Sequence, residues 1–178
     1  MKTAVITFGR MNPPTIGHEK LVNKVRAVAR LESGDPLIFL SHTQNAKKDP
    51  LDYSTKISLA TKAFGKIVKR SKSNTIIKVM QELENKYDNV ILVVGSDRLD
   101  EMRTFLTKYN GKDYTFDSIK VVSAGERDPD AEGVSGMSAS RMREYAKQDN
   151  IEEFTKGLPN NIKKDAKKIM NKVRKVLK

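Results

Sequence analysis

TAVITFGRMNPPTIGHEKLVNKVRAVARL, residues Thr3 to Leu31, sets the fold. Its opening run, TAVITF, is rich in β-branched and aromatic side chains and stops at Gly9, the pattern of a short buried strand. From Gly17 the apolar positions Leu21, Val22, Val25, Val28 and Ala29 recur at helical spacing, until Gly34, Asp35 and Pro36 end the helix. A strand, a polar loop and a helix follow one another.

The same alternation continues outward. PLIFLS from Pro36 predicts a second strand, Tyr53 to Phe64 a helix, Lys66 to Lys69 a further short strand, and Asn74 caps a helix to about Tyr87. VILVVG, Val90 to Gly95, is the clearest buried strand; Asp97 to Tyr109 predicts a helix and Ser118 to Ser123 a last central strand. The turn-rich stretch GERDPDAEGVSG then leads to a helix starting near Ser138 or Ser140. Strands separated by helices require right-handed crossovers, so the expected fold is an α/β doubly wound parallel sheet of the Rossmann-like kind. In such a sheet ligands bind beyond the carboxyl ends of the strands, where chain order reverses.

Composition narrows the chemistry. The 178 residues suit one domain, expected over 1–150, with 151–178 as a C-terminal helical extension packed on it. There is no cysteine, which excludes disulfides, thiolate metal sites and cysteine nucleophiles, and two histidines do not make a usual zinc site. No protein-built metal centre is expected. No stretch approaches the roughly 18 apolar residues that span a bilayer, and the N-terminus lacks a signal-peptide pattern, so a cytoplasmic protein with no membrane partner is expected.

The formal charge of +12 favours anionic partners. Residues 160–178 hold seven lysines, one arginine and one aspartate, a net +7, leaving +5 for the rest. Within that tail Ile162, Ala166, Ile169, Met170, Val173, Val176 and Leu177 form one apolar stripe, as in a basic helix docked on the domain. A nucleic-acid or membrane-surface helix is the less favoured reading of the same pattern.

Three stretches carry candidate chemistry. In GRMNPPTIGH, Gly9 to His18, Gly9 lets backbone approach a ligand, Pro13 and Pro14 stiffen the turn, and Gly17 and His18 open a helix whose amides and dipole favour an anion. Thr15 and His18 lie one turn apart and can reach one phosphate. In MSASRMR, Met137 to Arg143, Ser138 or Ser140 caps a helix and Arg143 supplies a bidentate cation. Gly95 and Asp97 follow the strongest strand, where Asp97 either accepts a ribose hydroxyl or substrate amide or simply caps its helix.

GRMNPPTIGH resembles the signature of the HxGH nucleotidylyltransferase superfamily, with threonine at the first position as in TxGH members such as phosphopantetheine adenylyltransferases. Its GRxxPxxxGH form looks more like archaeal-type nicotinamide mononucleotide adenylyltransferases, and small phage-encoded cytidylyltransferase-like proteins are similar. MSASRMR occupies the place of the superfamily's ISxTxIR. By that resemblance His18, Thr15, Arg10 and Arg143 stabilise charge on the reacting phosphates, while Phe8, Gly9, Met11, Gly17, Gly95, Asp97, Ser138 and Ser140 line the nucleotide. SHTQNAKKDPLDYSTK, Ser41 to Lys56, is similar to a loop of the archaeal-type enzymes, which makes His42, Lys47, Lys48 and Lys56 candidates for the acceptor phosphate. Asp49 stands where that loop has asparagine, and Lys56 where it has arginine.

The implied activity is transfer of a nucleoside monophosphate from ATP to nicotinamide mononucleotide, giving NAD and pyrophosphate, with Mg²⁺ bound through the triphosphate. Alternatives are a cytidylyltransferase making a CDP-alcohol, a phosphopantetheine adenylyltransferase, or a non-catalytic nucleotide- or nucleic-acid-binding module. Small-molecule substrates are the expected partners, and the resemblance leaves room for a homo-oligomer. In a phage the compartment would be the host cytoplasm.

Overall fold

The computed structural model describes residues 1–47, 49–125 and 138–177. Lys48, Met137 and the acidic Asp128, Asp130 and Glu132 of the turn-rich stretch lie outside the described residues. The chain divides into two units: Met1–Phe8, Leu21–Phe39 and the stretch beginning at Lys69 form the first, and Gly9–Lys20, Leu40–Val68 and the C-terminal residues form the second.

The first unit is built on a four-stranded parallel sheet, in the order β2-β1-β3-β4. β1 is Thr3–Gly9, β2 Asp35–Leu40, β3 Asn89–Val94 and β4 Ser118–Ser123. β1 pairs with β3 from Thr3↔Asn89 to Ile6↔Leu92, and β3 with β4 from Asn89↔Ser118 to Val94↔Ser123. Ala4, Val5 and Ile6 of β1 and Val90, Leu92 and Val93 of β3 are essentially inaccessible, which is why both strands are continuously apolar. Thr7, also buried, donates its hydroxyl to the Val93 carbonyl at 2.9 Å. The chain goes from β1 to β2 on one side and returns to β3 on the other, so the order reverses at the β1/β3 pair.

Helices α1 (Ile16–Leu31), α3 (Ile76–Leu83) and α4 (Leu99–Tyr109) connect the strands. Val79, Met80 and Leu83 of α3 and Met102 and Leu106 of α4 join the sheet's core, with Phe8 partly buried against it. No strand forms at Lys66–Lys69: Gly65 leaves the preceding helix at φ 90°, a turn follows, and only a single bridge residue, Val68, precedes Lys69, whose amide reaches the Ile38 carbonyl of β2. The α3 cap is Thr75, not Asn74, its hydroxyl accepting from the Lys78 amide at 3.2 Å. The helix ends at Leu83 in a turn whose Lys86 and Tyr87 amides both bond the Leu83 carbonyl; beyond it the Tyr87 hydroxyl donates to Asp35 at 2.8 Å and the next amides bond the Lys2 carbonyl.

The second unit contains α2 (Tyr53–Phe64), α5 (Ala139–Lys147), α6 (Ile151–Lys156) and α7 (Ala166–Leu177). α7 packs on α5 and α6, and a 3₁₀ turn at Asn160–Asp165 packs on α2. Ile162, Ala166, Ile169, Met170 and Val173 are buried, whereas Val176 and Leu177 at the end of the stripe stay half-exposed. Asn161 donates to the Ala63 carbonyl and Lys62 pairs with Asp165, fixing the turn to α2. Among the described residues no helix is long and apolar enough to cross a membrane.

Candidate functional site

The second unit begins where two strands end, at Gly9 and Leu40. The loop after β1 is pinned to the loop after β2 by backbone and side chain together. The Ser41 amide donates to the Gly9 carbonyl at 2.8 Å. Asn12, fully buried, donates its amide to the Leu51 carbonyl at 3.0 Å and accepts from the Leu51 N–H at 2.9 Å. Between them Met11 is buried at φ 44°, a left-handed conformation unusual for a side chain of that size, held by its surroundings. Among the described residues a Cβ added at Gly9 would meet nothing within 4 Å.

Thr15 and His18 form a reciprocal cap on α1. Thr15 Oγ1 accepts from the His18 amide at 3.3 Å, and the Thr15 amide donates to His18 Nδ1 at 3.0 Å. Histidine thus does what glutamate does in a capping box. Because Nδ1 accepts an amide hydrogen, the hydrogen-bond network assigns the proton of the neutral ring to Nε2. Gly17 lies in the same first turn, and the Ile16 amide donates to the Gly157 carbonyl.

Ser138 is the cap of α5, its side chain accepting from the Arg141 amide at 3.2 Å. That leaves Ser140 exposed in the first turn, hydrogen-bonded at 3.2 Å to Nη2 of Arg143. Nη1 of Arg143 donates to the Asn12 carbonyl at 3.0 Å. The guanidinium therefore joins the two stretches singled out in the sequence. Burial lowers its pKa, Asp49 opposes that and Arg10 adds to it, so it titrates below the ordinary arginine range and stays a cation at neutral pH.

Two more charges belong to this cluster. Arg10, with its side chain 59% exposed, lies 3.8 Å from Asp49 Oδ2, whose own side chain is 2% exposed. Lys56 is fully buried and donates from Nζ to the Ser41 carbonyl at 2.8 Å and to Ser41 Oγ at 3.3 Å. Desolvation lowers the Lys56 pKa, partly offset by Asp49 and reinforced by Arg10. Three cations, one carboxylate and an imidazole thus share one unit, a field suited to a polyphosphate.

His42 stacks on Tyr53, with ring centroids 3.7 Å apart. Lys47 is exposed, its amide bonded to the Asn45 side chain, and Lys48 lies outside the described residues. Phe8, Gly95 and Asp97 belong to the first unit. Asp97 does not cap α4: Arg98 holds that position without a side-chain cap bond, and Asp97 sits in a 3₁₀ turn, Ser96–Arg98. A Cβ at Gly95 would come within 2.8 Å of the Asp97 carboxylate. Asn12 and Asp49 were not foreseen as site residues; a lone aspartate between Lys48 and Pro50 is the only sequence signal for the second.

The fold has many solved counterparts. A Vibrio parahaemolyticus chain assigned as a nicotinate-nucleotide adenylyltransferase superposes with a TM-score of 0.57 at 16% identity, covering 93% of this chain and 99% of that one. Plasmodium falciparum nicotinic acid mononucleotide adenylyltransferase complexed with NaAD gives 0.55 at 16% identity, over 94% and 96% of the two chains. Thermotoga maritima TmcAL gives 0.61 at 12% identity, and this chain, 96% covered, spans 57% of TmcAL. At such identities the likeness concerns the fold. No curated protein is close enough in sequence to match. The cytidylyltransferase-like family model matches residues 6–145, and the chain belongs to that family of nucleotidyltransferases.

Proposed function

We propose that the chain transfers the adenylyl group of ATP to nicotinamide mononucleotide, giving NAD and pyrophosphate. The observation that carries this reading is the Arg143 guanidinium bonded to the Asn12 carbonyl, which ties a cation of α5 to the loop that leads into the Thr15–His18 cap. An oxygen of the acceptor phosphate attacks the α-phosphorus in line, the bond to the bridging oxygen breaks, and pyrophosphate leaves with the electron pair. The acceptor is already anionic, so no strong general base is needed. Catalysis is positioning plus neutralisation of charge on phosphate oxygens, by the His18 Nε2–H, the Thr15 hydroxyl, Arg10 and Arg143.

Backbone at Gly9, Met11 and Gly17, the cap Ser138 and the neighbouring Ser140 would line the nucleotide phosphates. His42, Lys47, Lys48 and Lys56 would serve the acceptor. Mg²⁺ would come to the site bound through the triphosphate. Bound there, Mg²⁺ would share the neutralisation of phosphate charge.

The neighbours assigned to nicotinate and nicotinic acid mononucleotides favour adenine and a pyridine mononucleotide, while the family's cytidylyltransferase-like character makes CTP the rival donor. The protein incubated with Mg²⁺, ATP or CTP, and nicotinamide mononucleotide, nicotinic acid mononucleotide, phosphopantetheine or glycerol phosphate decides between them. The NAD mass from ATP and nicotinamide mononucleotide is expected; a CDP-alcohol mass instead would overturn the adenylyl reading.

A further inference from the structure

Asp49 is an anion inside an anion-binding cluster, and local structure does not require its charge. Oδ2 accepts from Thr43 Oγ1 at 3.1 Å and from the Asn45 amide at 3.4 Å, and faces Arg10 Nε at 3.8 Å. Oδ1 is buried with no hydrogen-bond partner among the described residues. The loop around it closes through paired backbone bonds between Asn45 and Asp49, which any residue supplies. An amide oxygen at position 49 would accept from Thr43 and Asn45 equally well. What a carboxylate adds is negative charge.

That charge is wired to the cations. Asp49 only accepts, so the Thr43 hydroxyl donates to it, Ser41 Oγ donates to Thr43 at 3.1 Å, and Lys56 donates to Ser41 Oγ. One oriented chain thus runs from Lys56 to Asp49. Arg10 faces the same carboxylate oxygen that the chain reaches, and Arg143 is within its electrostatic reach. Cations that grip a triphosphate would also grip the pyrophosphate it releases.

We propose that Asp49 is a positioning residue: a buried counter-charge that competes with phosphate for Arg10, Arg143 and Lys56 and so keeps pyrophosphate loosely enough held to leave. It does not touch the substrate, since its oxygens are buried; it acts through the cations. The inference rests on the transferase reading above.

The test compares wild type with Asp49→Asn, which keeps the acceptor and removes the charge. Titration calorimetry with pyrophosphate should show roughly tenfold tighter binding in the variant, the effect of removing one charge a few ångströms from a polyanion in a half-buried site. KM for ATP and kcat should fall together, and rapid-quench assays should show a burst of dinucleotide product, because release has become limiting. Pyrophosphate should also raise the variant's melting temperature more than it raises wild type's. If the variant folds only when pyrophosphate is present, the counter-charge is supported; if pyrophosphate fails to fold it, the proposal is overturned. Unchanged or weaker binding in a folded variant, beside an active wild type, overturns this inference alone. A wild type that neither binds pyrophosphate nor turns over removes the transferase reading, and this inference with it.

Discussion

Arg143 donates from Nη1 to the carbonyl of Asn12 at 3.0 Å across 131 positions of sequence. The bond places a guanidinium from the helix after the last strand against the loop after the first. Arg143→Lys keeps the charge but loses the fork that also holds Ser140. The expected outcome is a fall of at least roughly tenfold in kcat/KM, the worth of one hydrogen bond to a charged group, with the melting temperature nearly unchanged. Steady-state pyrophosphate release beside a thermal melt checks it.

His18→Ala removes the Nε2 donor and half of the α1 cap. Turnover should drop by roughly two to three orders of magnitude, as for loss of a transition-state donor. The cap accounts for only about 1 kcal/mol of stability, so the variant should fold. Near-normal turnover in a folded variant removes His18 from the mechanism.

Asn12→Ala should act on stability first. Both polar groups of Leu51 lose their partner in a buried place, which costs about 2–4 kcal/mol. Urea denaturation should show that loss with an unchanged m-value. A variant as stable as wild type would mean that the two loops are held together by other contacts.

Tyr114 is buried and donates to the Leu106 carbonyl at 2.6 Å, and burial raises its pKa to about 12 from the ordinary 10.0. The folded state therefore holds this proton more tightly than the unfolded one. Its contribution is complete below pH 10 and is lost as pH rises through about 12. Stability measured from pH 8 upward should fall over that window, and Tyr114→Phe should flatten the fall while lowering stability at neutral pH. Parallel curves for the two proteins would refute the assignment.

Ending the chain after Pro159 deletes the buried Ile162, Ile169, Met170 and Val173. At roughly 1.5–3 kcal/mol for each large side chain, the loss is comparable to a domain's whole margin of about 5–15 kcal/mol. The shortened chain should lack a cooperative melt. A well-folded truncation that had lost only affinity for DNA or RNA would instead mark the tail as a nucleic-acid grip.

Much of this was legible because the signals were local. β1 and β3 declare themselves as unbroken apolar runs, since parallel strands are buried on both faces, and α2 begins and ends where its spacing says. The end of α3 was not, because the turn after it is tied to distant partners, the Tyr87 hydroxyl to Asp35, 52 positions away, and the next amides to Lys2. The meeting of Arg143 with the first loop was expected from two motifs, whereas the pairing of Asn12 with Leu51 and the burial of Asp49 and Lys56 depend on polar partners that no periodicity encodes.

The Gly9–His18 loop and the start of α5 are proposed to make one pocket for a transferring phosphate. Continuous measurement of pyrophosphate release from ATP, Mg²⁺ and nicotinamide mononucleotide, in wild type, His18→Ala, Arg143→Ala and the double variant, addresses it directly. Release should require all three reagents, collapse in either single variant, and fall little further in the double variant, as for groups acting as a unit. No release from any triphosphate and acceptor pair, or full activity in either single variant, would contradict it.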